Sequence, residues 1–227
     1  TKKCHCFKKA IVDLLYTQSN LQEILGKENF STCSLGFYSS NHIDPLTGRS
    51  SLEAIQTALK ACHEFIDTFS TEFQNILLYG DTGVGKTFLS HCIAKELIDA
   101  SFSVIYFTAT QLFDIFAESA FGRKDTKDSD ACEHLYDCDL LIIDDLGTEL
   151  PNSFTVSQLF ICLNERILRQ KSTIISTNLA LEDIKSIYSE RTFSRISSNY
   201  TILRLTGDDI RIQKKLLNLG GTKDVTP

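Results

Sequence analysis

Methionine is absent from the 227-residue sequence, a start methionine included, so the chain is expected to be a piece of a longer protein. No apolar run approaches the ~20 residues that a membrane-spanning helix needs, which excludes a membrane span and a membrane partner. No charged and then apolar leader opens the chain, and a cytoplasmic protein is expected. Internal repeats and low-complexity tracts are lacking, which sets aside solenoids and linker-type segments. An excess of positive charge is also missing. The net charge of −6 is not that of a dedicated DNA-coating protein. Basic residues do gather locally, with Lys185, Arg191, Arg195, Arg204, Arg211, Lys214 and Lys215 set against Glu190, Asp208 and Asp209. That stretch is a candidate nucleotide or nucleic-acid face.

Cysteine is present eight times but not as a disulfide framework, which belongs to short secreted chains. Cys33, Cys62, Cys92, Cys132, Cys138 and Cys162 are scattered, several on apolar helix faces, and read as small buried hydrophobes. Cys4 and Cys6 stand apart in Cys4-His5-Cys6. They supply too few ligands for a closed zinc site, which takes about four N or S donors.

Short helical pieces over Lys8–Tyr16 and Asn20–Leu25 precede a turn-rich connector, Asn29–Arg49. Ser50 and Glu53 then form a capping-box pattern. The helix they open carries Leu52, Ile55, Leu59, Cys62, Ile66 and Phe69 on one face. Beyond it strands and helices alternate. Strands are expected at Asn75–Tyr79, Val104–Phe107, Leu140–Ile143, Thr173–Ser176 and Thr201–Leu205. Helices are expected at Lys86–Asp99, Gln111–Ala120, Val156–Gln170, Leu181–Ile187 and Arg191–Ser197, with a charged loop over Gly122–Asp130. Buried-type strands alternating with helices predict an α/β fold, a five-stranded parallel sheet between helical layers.

Two elements carry the chemistry. Gly80-Asp81-Thr82-Gly83-Val84-Gly85-Lys86-Thr87 fits G-x-x-x-x-G-K-[ST] between an apolar strand and an amphipathic helix. Its backbone N–H groups and the helix N-terminus suit phosphates. Lys86 would reach the β- and γ-phosphates, and the Thr87 hydroxyl would coordinate Mg²⁺. The apolar run Leu140–Ile143 then delivers Asp144 and Asp145 at the end of a strand, where open α/β sheets place ligands. Asp144 would hold the Mg²⁺ shell, and Asp145 would orient the attacking water and act as its base. The pair predicts an ATPase with ATP and Mg²⁺ as its cofactors. The absence of an Asn-Lys-x-Asp guanine-reading motif favours ATP over GTP.

Several further pieces make the resemblance specific. Leu-Ile-Ile-Asp-Asp-Leu-Gly, Ile-Ile-Ser-Thr-Asn, Ser-Glu-Arg-Thr-Phe-Ser-Arg-Ile and Gly-Asp-Asp-Ile-Arg follow the phosphate loop in order. From Phe73 to Lys215 the chain resembles the AAA+ domain of the DnaC/DnaI helicase-loader family and its relative IstB, a transposition helper. The resemblance implies a P-loop AAA+ fold without a full helical lid domain. It divides the chain into an amino-terminal zinc-type remnant and connector (1–49), the ATPase domain (50–217) and a tail (218–227). It further implies loading of a hexameric replicative helicase onto single-stranded DNA, and self-association through an arginine-finger interface.

Residue by residue, Asn178 resembles sensor 1, with capping of the next helix as the lesser alternative. Arg195 resembles the arginine finger that reaches a neighbour's ATP, with Arg191 one turn earlier as the competing candidate. Either could instead pair with Glu190 or Glu182 on the surface. Arg211 resembles the sensor-2 arginine, whose fixed fork suits a γ-phosphate. Thr108–Gly122 is the candidate for the extra helix of the loader and initiator branch. Ser153 and Phe154 lie where relatives contact DNA, and Phe154 could otherwise staple its helix. Cys4 and Cys6 resemble half of a zinc site that only the full-length protein would complete. An IstB-like transposition helper acting on duplex DNA and a small-molecule P-loop kinase are the alternative readings.

Overall fold

The computed structural model describes residues 21–121 and 128–220. Cys4, Cys6 and the piece expected over Lys8–Tyr16 lie outside these residues. Five strands make one sheet: β1 (Ile76–Gly80), β2 (Val104–Thr108), β3 (Leu140–Leu146), β4 (Ser172–Thr177) and β5 (Thr201–Leu205). Their spatial order is β2-β3-β4-β1-β5, and every neighbouring pair is parallel. The helices are α1 (Leu21–Lys27), α2 (Ser51–Thr68), α3 (Lys86–Asp99), α4 (Ala109–Phe121), α5 (Asp128–Asp137), α6 (Ser153–Leu168), α7 (Leu181–Asn199) and α8 (Ile210–Gly220).

Strand alternation sorts the core into two layers. Ile76, Leu78, Leu140 and Ile142 face α1, α2 and α3, where Leu25, Ile55, Phe65, Leu89 and Ile93 complete one cluster. Leu77, Leu141, Ile143 and Ile175 face the opposite way, onto Leu112, Phe116, Leu159, Leu163, Ile184 and Tyr188 of α4, α6 and α7. Each fully buried apolar side chain contributes about 1.5–3 kcal/mol, so both faces are committed. This is the α/β sandwich expected, and its parallel order carries every strand's carboxyl end to one edge.

Two local details depart from the expectations, and a third, the pair of helices expected after β4, is met. The buried stripe of α2 runs through Ile55, Ala58, Cys62 and Phe65, while Leu52, Leu59 and Ile66 only flank it. The stretch expected as a charged loop is helical from Asp128 onward, as α5, and Arg169 ties that helix to α6 by ion pairs to Glu133 (2.7 Å) and Asp137 (2.8 Å). The helices expected at Leu181–Ile187 and Arg191–Ser197 are two halves of α7, joined at Ser189 with φ +81° and ψ 156°. That conformation is essentially reserved for glycine and costs about 1–3 kcal/mol. Capping follows the sequence more closely. Ser50 accepts from Glu53 N at 3.2 Å, and Glu53 Oε2 accepts from Ser50 N at 2.8 Å.

Residues 28–49 do not hang free as a connector. Side chains fasten them to the loop after β1 and to β5. Tyr38 donates its hydroxyl to the Val84 carbonyl at 2.9 Å. Asp44, only 2% exposed, takes Arg204 of β5 in a bidentate grip, Nε to Oδ2 at 2.9 Å and Nη2 to Oδ1 at 3.2 Å. Arg204 also lies over the Tyr79 ring. After β5 a single helix, α8, follows among the described residues.

The Asp44–Arg204 pair gives a stability prediction. Burial alone would raise the Asp44 carboxyl, but Arg204 and Thr47 outweigh it and hold it below the usual range. The pair's contribution is therefore present above the unfolded carboxylate pKa and lost as pH falls through the lower folded value. Breaking a fully buried pair costs about 3–5 kcal/mol, and this one keeps some solvent on Arg204. Asp44→Ala is expected to lower urea-unfolding stability by about 2–3 kcal/mol at pH 7, by that reasoning. The difference from the parent should shrink in acid below about pH 4. A difference that is small at pH 7, or unchanged by acid, would contradict this account.

Candidate nucleotide site

At the carboxyl end of β1 the chain makes a tight loop into α3. Gly80 (φ +130°) passes so close to β5 that a Cβ would stand 1.9 Å from the Leu205 carbonyl oxygen. Gly85 (φ +99°) is the N-cap of α3, and a Cβ there would meet the Tyr38 hydroxyl at 2.7 Å. Only glycine satisfies both the positive φ and the close approach. Thr82, Gly83, Gly85, Lys86 and Thr87 all line a cavity of about 450 Å³, a volume in the range of small-ligand pockets. Val84 points the other way into the core. The Asp81 carboxylate turns to the corner after β5 and accepts from Gly207 N at 3.3 Å. The ammonium of Lys86 is buried and donates to the Gly80 and Asp81 carbonyls, at 2.9 and 2.5 Å. Burial pushes its pKa down to about 8, against the pull of Asp145, Asp81 and Asp144.

The carboxylate pair reaches the same cavity through an irregularity that the sequence does not announce. On an even strand, Asp144 and Asp145 would face opposite sides of the sheet. Between Ile143 and Leu146 the register of β3 against β4 shifts, and Asp145 takes φ +53°. Such a bulge re-aims a side chain, and aspartate tolerates the left-handed region better than most residues. Both carboxylates consequently line the cavity. Asp144 is 3% exposed and collects hydroxyl donors from three elements. Thr87 of α3 donates at 3.1–3.2 Å, and Tyr106 of β2 and Ser176 of β4 make close contacts as well. Ser176 Oγ also accepts from Asp145 N at 3.1 Å, so one serine fixes both acids. Burial and the neighbouring Asp144 hold the Asp145 carboxyl above its ordinary range, while Lys86 and Arg211 pull it down.

The remaining walls come from both ends of the chain. Glu28, Cys33, Phe37 and Tyr38 close one side. On the other, α8 brings Ile210, Arg211 and Lys214. Ile210 N donates to the Gly83 carbonyl at 3.0 Å, and the Asp209 side chain fills the space that a Gly83 Cβ would need. Arg211 lies in an exposed ion pair with Asp209 at 3.1 Å. Gln213 donates to the Phe37 carbonyl at 3.2 Å, joining the two walls.

Asn178 lines the cavity, and the helix after it is capped at Ala180 without a side-chain bond, so Asn178 is not a helix cap. Arg191 and Arg195 do not line the cavity. Both are exposed on the second half of α7, and among the described residues neither makes an ion pair; Glu190 is engaged by Lys185 at 3.0 Å. Ser153 and Phe154 open α6, capped by Asn152. Phe154 is the second helical residue, not at a staple position; it packs partly against the core, and its ring lies tilted by 46° against the exposed Phe121, centroids 5.2 Å apart. Tyr106, Ser176 and Tyr38 were not singled out from the sequence. For Tyr106 the signal was available, since period-two alternation sets it beside Val104 and Thr108 on one face of β2.

A thiol-free set of hydroxyl and carboxylate oxygens, Thr87 and Asp144 side by side, is the hard donor chemistry that magnesium accepts. Comparison with known proteins agrees with that setting. A family model described as IstB-like ATP binding protein matches residues 49–218. The replicative helicase loader DnaC of Buchnera aphidicola subsp. Acyrthosiphon pisum is 23% identical over 180 residues, covering 78% of this chain and 69% of that protein. Among solved structures, that of DnaI matches with a TM-score of 0.65 at 20% identity, over 82% of this chain and 94% of that one. The replication initiator DnaA bound to AMPPCP and single-stranded DNA matches with a TM-score of 0.60 at 22% identity, over 73% and 51%. At such identities the structural likeness establishes the fold, that of the AAA+ P-loop domains. The chain spans 30% of the length of one curated relative, a chromosomal replication initiator protein DnaA, and 69% of that of the Buchnera DnaC.

The loop geometry predicts that Gly85→Ala is damaging for two reasons, strain at φ +99° and collision with Tyr38. Strain of this kind costs about 1–3 kcal/mol. Tyr38→Phe removes only the bond to Val84, worth about 1 kcal/mol. Thermal unfolding of the ligand-free protein should therefore order them as parent, then Tyr38→Phe, then Gly85→Ala. A Gly85→Ala variant as stable as the parent would contradict the described loop.

Proposed function

The chain belongs to the IstB-like ATP binding protein family, and on that premise we propose that it is an ATPase that helps load a hexameric replicative helicase onto single-stranded DNA. The observation that carries the reading is the convergence of the phosphate loop, Asp144, Asp145, Asn178 and Arg211 on one cavity. In this reading Gly80–Thr87 wraps the phosphates with backbone N–H groups, and Lys86 exchanges its two carbonyl partners for β- and γ-oxygens. Thr87 and Asp144 would hold Mg²⁺, which would supply neutralisation of charge on the phosphate oxygens. Asp145 takes the proton of the water whose oxygen attacks the γ-phosphorus as the bond to the β-bridging oxygen breaks. Asn178 orients that water, and Arg211 leaves Asp209 for the γ-phosphate. Arg195, exposed and outside its own cavity, reaches the ATP of a neighbouring copy, with Arg191 as its partner or substitute.

For DNA, the exposed Phe121 ring against Phe154 offers a stacking platform beside the Ser153 hydroxyl. No described helix is long and apolar enough to cross a membrane. The family match itself favours a second reading, an IstB-like helper that forms ATP-dependent filaments on duplex DNA. A small-molecule kinase fits less well, since two carboxylates and free surface arginines suit water activation and a subunit interface.

Hydrolysis of Mg–ATP and binding of a fluorescent ATP analogue test the site. Lys86→Ala is expected to lose nucleotide binding or turnover; unchanged ATPase activity would sink the assignment. Asp145→Asn should keep affinity while turnover falls roughly 10²–10⁴-fold, the usual worth of a general base. Arg195→Ala should keep monomer affinity and lose the assembly-dependent rate, where such fingers contribute about 10³–10⁵. Weaker ATP binding by the isolated Arg195→Ala monomer would instead mean that Arg195 acts in its own site. Phe121→Ala should weaken single-strand binding by at least about fivefold, consistent with roughly 1–3 kcal/mol per stacked base. No change would remove the platform.

A further inference from the structure

The loop after β3 and the hinge of α7 are joined by a contact that the proposed chemistry leaves unused. Gly147, two residues beyond Asp145, has φ +101° and is pressed against Leu179, the residue after Asn178. Its N–H donates to Glu149 Oε2 at 3.0 Å. The other carboxylate oxygen, Oε1, accepts the Tyr188 hydroxyl in a close contact. Both side chains are shut away from solvent, Glu149 at 8% exposure and Tyr188 at 0%. Beside β3, Thr177 Oγ1 donates to the Leu146 carbonyl at 2.5 Å, so the end of β4 belongs to the same assembly. Tyr188 is the residue immediately before Ser189, the non-helical joint of α7. Beyond that joint come Arg191 and Arg195.

A buried carboxylate whose two oxygens each meet one donor is an expensive way to fill space; an apolar pair of the same shape would pack at least as well. What it adds is a fixed geometry between two backbone segments. Burial and the adjacent carboxylate push the Tyr188 phenol far above its ordinary value, so it remains a donor at any working pH. A shift of the Asp145–Gly147 turn must then move Glu149, and through Tyr188 it loads a residue already held in a sparsely populated conformation. Strained joints of this kind are where two discrete arrangements are closest in energy.

We infer that Glu149 and Tyr188 are positioning residues that couple the Asp145 turn of one copy to the arginine-bearing half of its α7. Nucleotide state at a subunit's own cavity would thereby set whether its arginines are presented to the neighbour. This rests on the reading of Asp145 and Arg195 proposed above. Neither Glu149 nor Tyr188 lines the cavity, so neither acts on ATP directly.

The test uses the whole chain and two variants. Tyr188→Phe keeps the ring and removes the hydroxyl. Glu149→Gln keeps the shape but cannot accept from both donors. Binding of a non-hydrolysable ATP analogue with Mg²⁺ is measured first, then hydrogen exchange of peptides spanning residues 189–199 with and without the analogue. The parent is expected to bind and to slow exchange in those peptides at least fivefold. Both variants should bind within about twofold of the parent, show little or no slowing there, and lose at least tenfold in assembly-stimulated kcat with KM unchanged. A parent that binds but shows no slowing, or variants that slow as the parent does, overturns the coupling while leaving the ATPase reading intact. A parent that binds no nucleotide overturns both. Should Tyr188→Phe fold poorly, Glu149→Gln alone decides, because a merely structural contact would lower its stability without separating kcat from KM.

Discussion

Asp144 is the point on which the arrangement depends. Its buried carboxylate is held by hydroxyls from α3, β2 and β4, and it sits at the bulge that also turns Asp145 inward. An isolated buried charge would be prohibitive, and the three hydroxyl donors and the nearby Lys86 ammonium offset that cost. In the proposed function Thr87 and Asp144, already adjacent, would also hold Mg²⁺. The phosphate loop is tied to the end of β3 through the Thr87 hydroxyl on Asp144.

Around that centre the chain closes from its two ends. Tyr38 and Phe37 approach from the segment before α2, Arg211 and Lys214 from α8, and the Asp44–Arg204 pair fixes that earlier segment to β5. A polyphosphate entering the cavity would meet side chains from both of these segments.

Much of this was legible in the sequence, for reasons that are local. The phosphate loop is a contiguous pattern whose glycines are dictated by φ and by a close approach. Apolar runs ending in polar residues gave the strands, and their alternation with helices gave a parallel sheet. Ser50 and Glu53 announced the start of α2. What was not legible is tertiary. The bulge at Asp144–Asp145 depends on the register with β4. Tyr106 and Ser176 matter only because β2 and β4 flank β3. Tyr38 reaches Val84 across forty-six positions from a stretch that reads as a turn-rich connector. The α2 stripe was displaced because periodicity gives a face but not which side of it meets the sheet. The link from Glu149 to Tyr188 joins residues thirty-nine apart and has no pattern at all.

The central claim is that ATP in this cavity governs a grip on single-stranded DNA. Fluorescence anisotropy of labelled single- and double-stranded oligonucleotides, with and without Mg–ATP, tests it most directly. Salt must be held fixed because phosphate contacts depend on it steeply. Tighter binding of the single strand when Mg–ATP is present is the result expected. Binding that ignores ATP, or an ATP-dependent preference for duplex, would contradict it, the latter in favour of the transposition-helper reading.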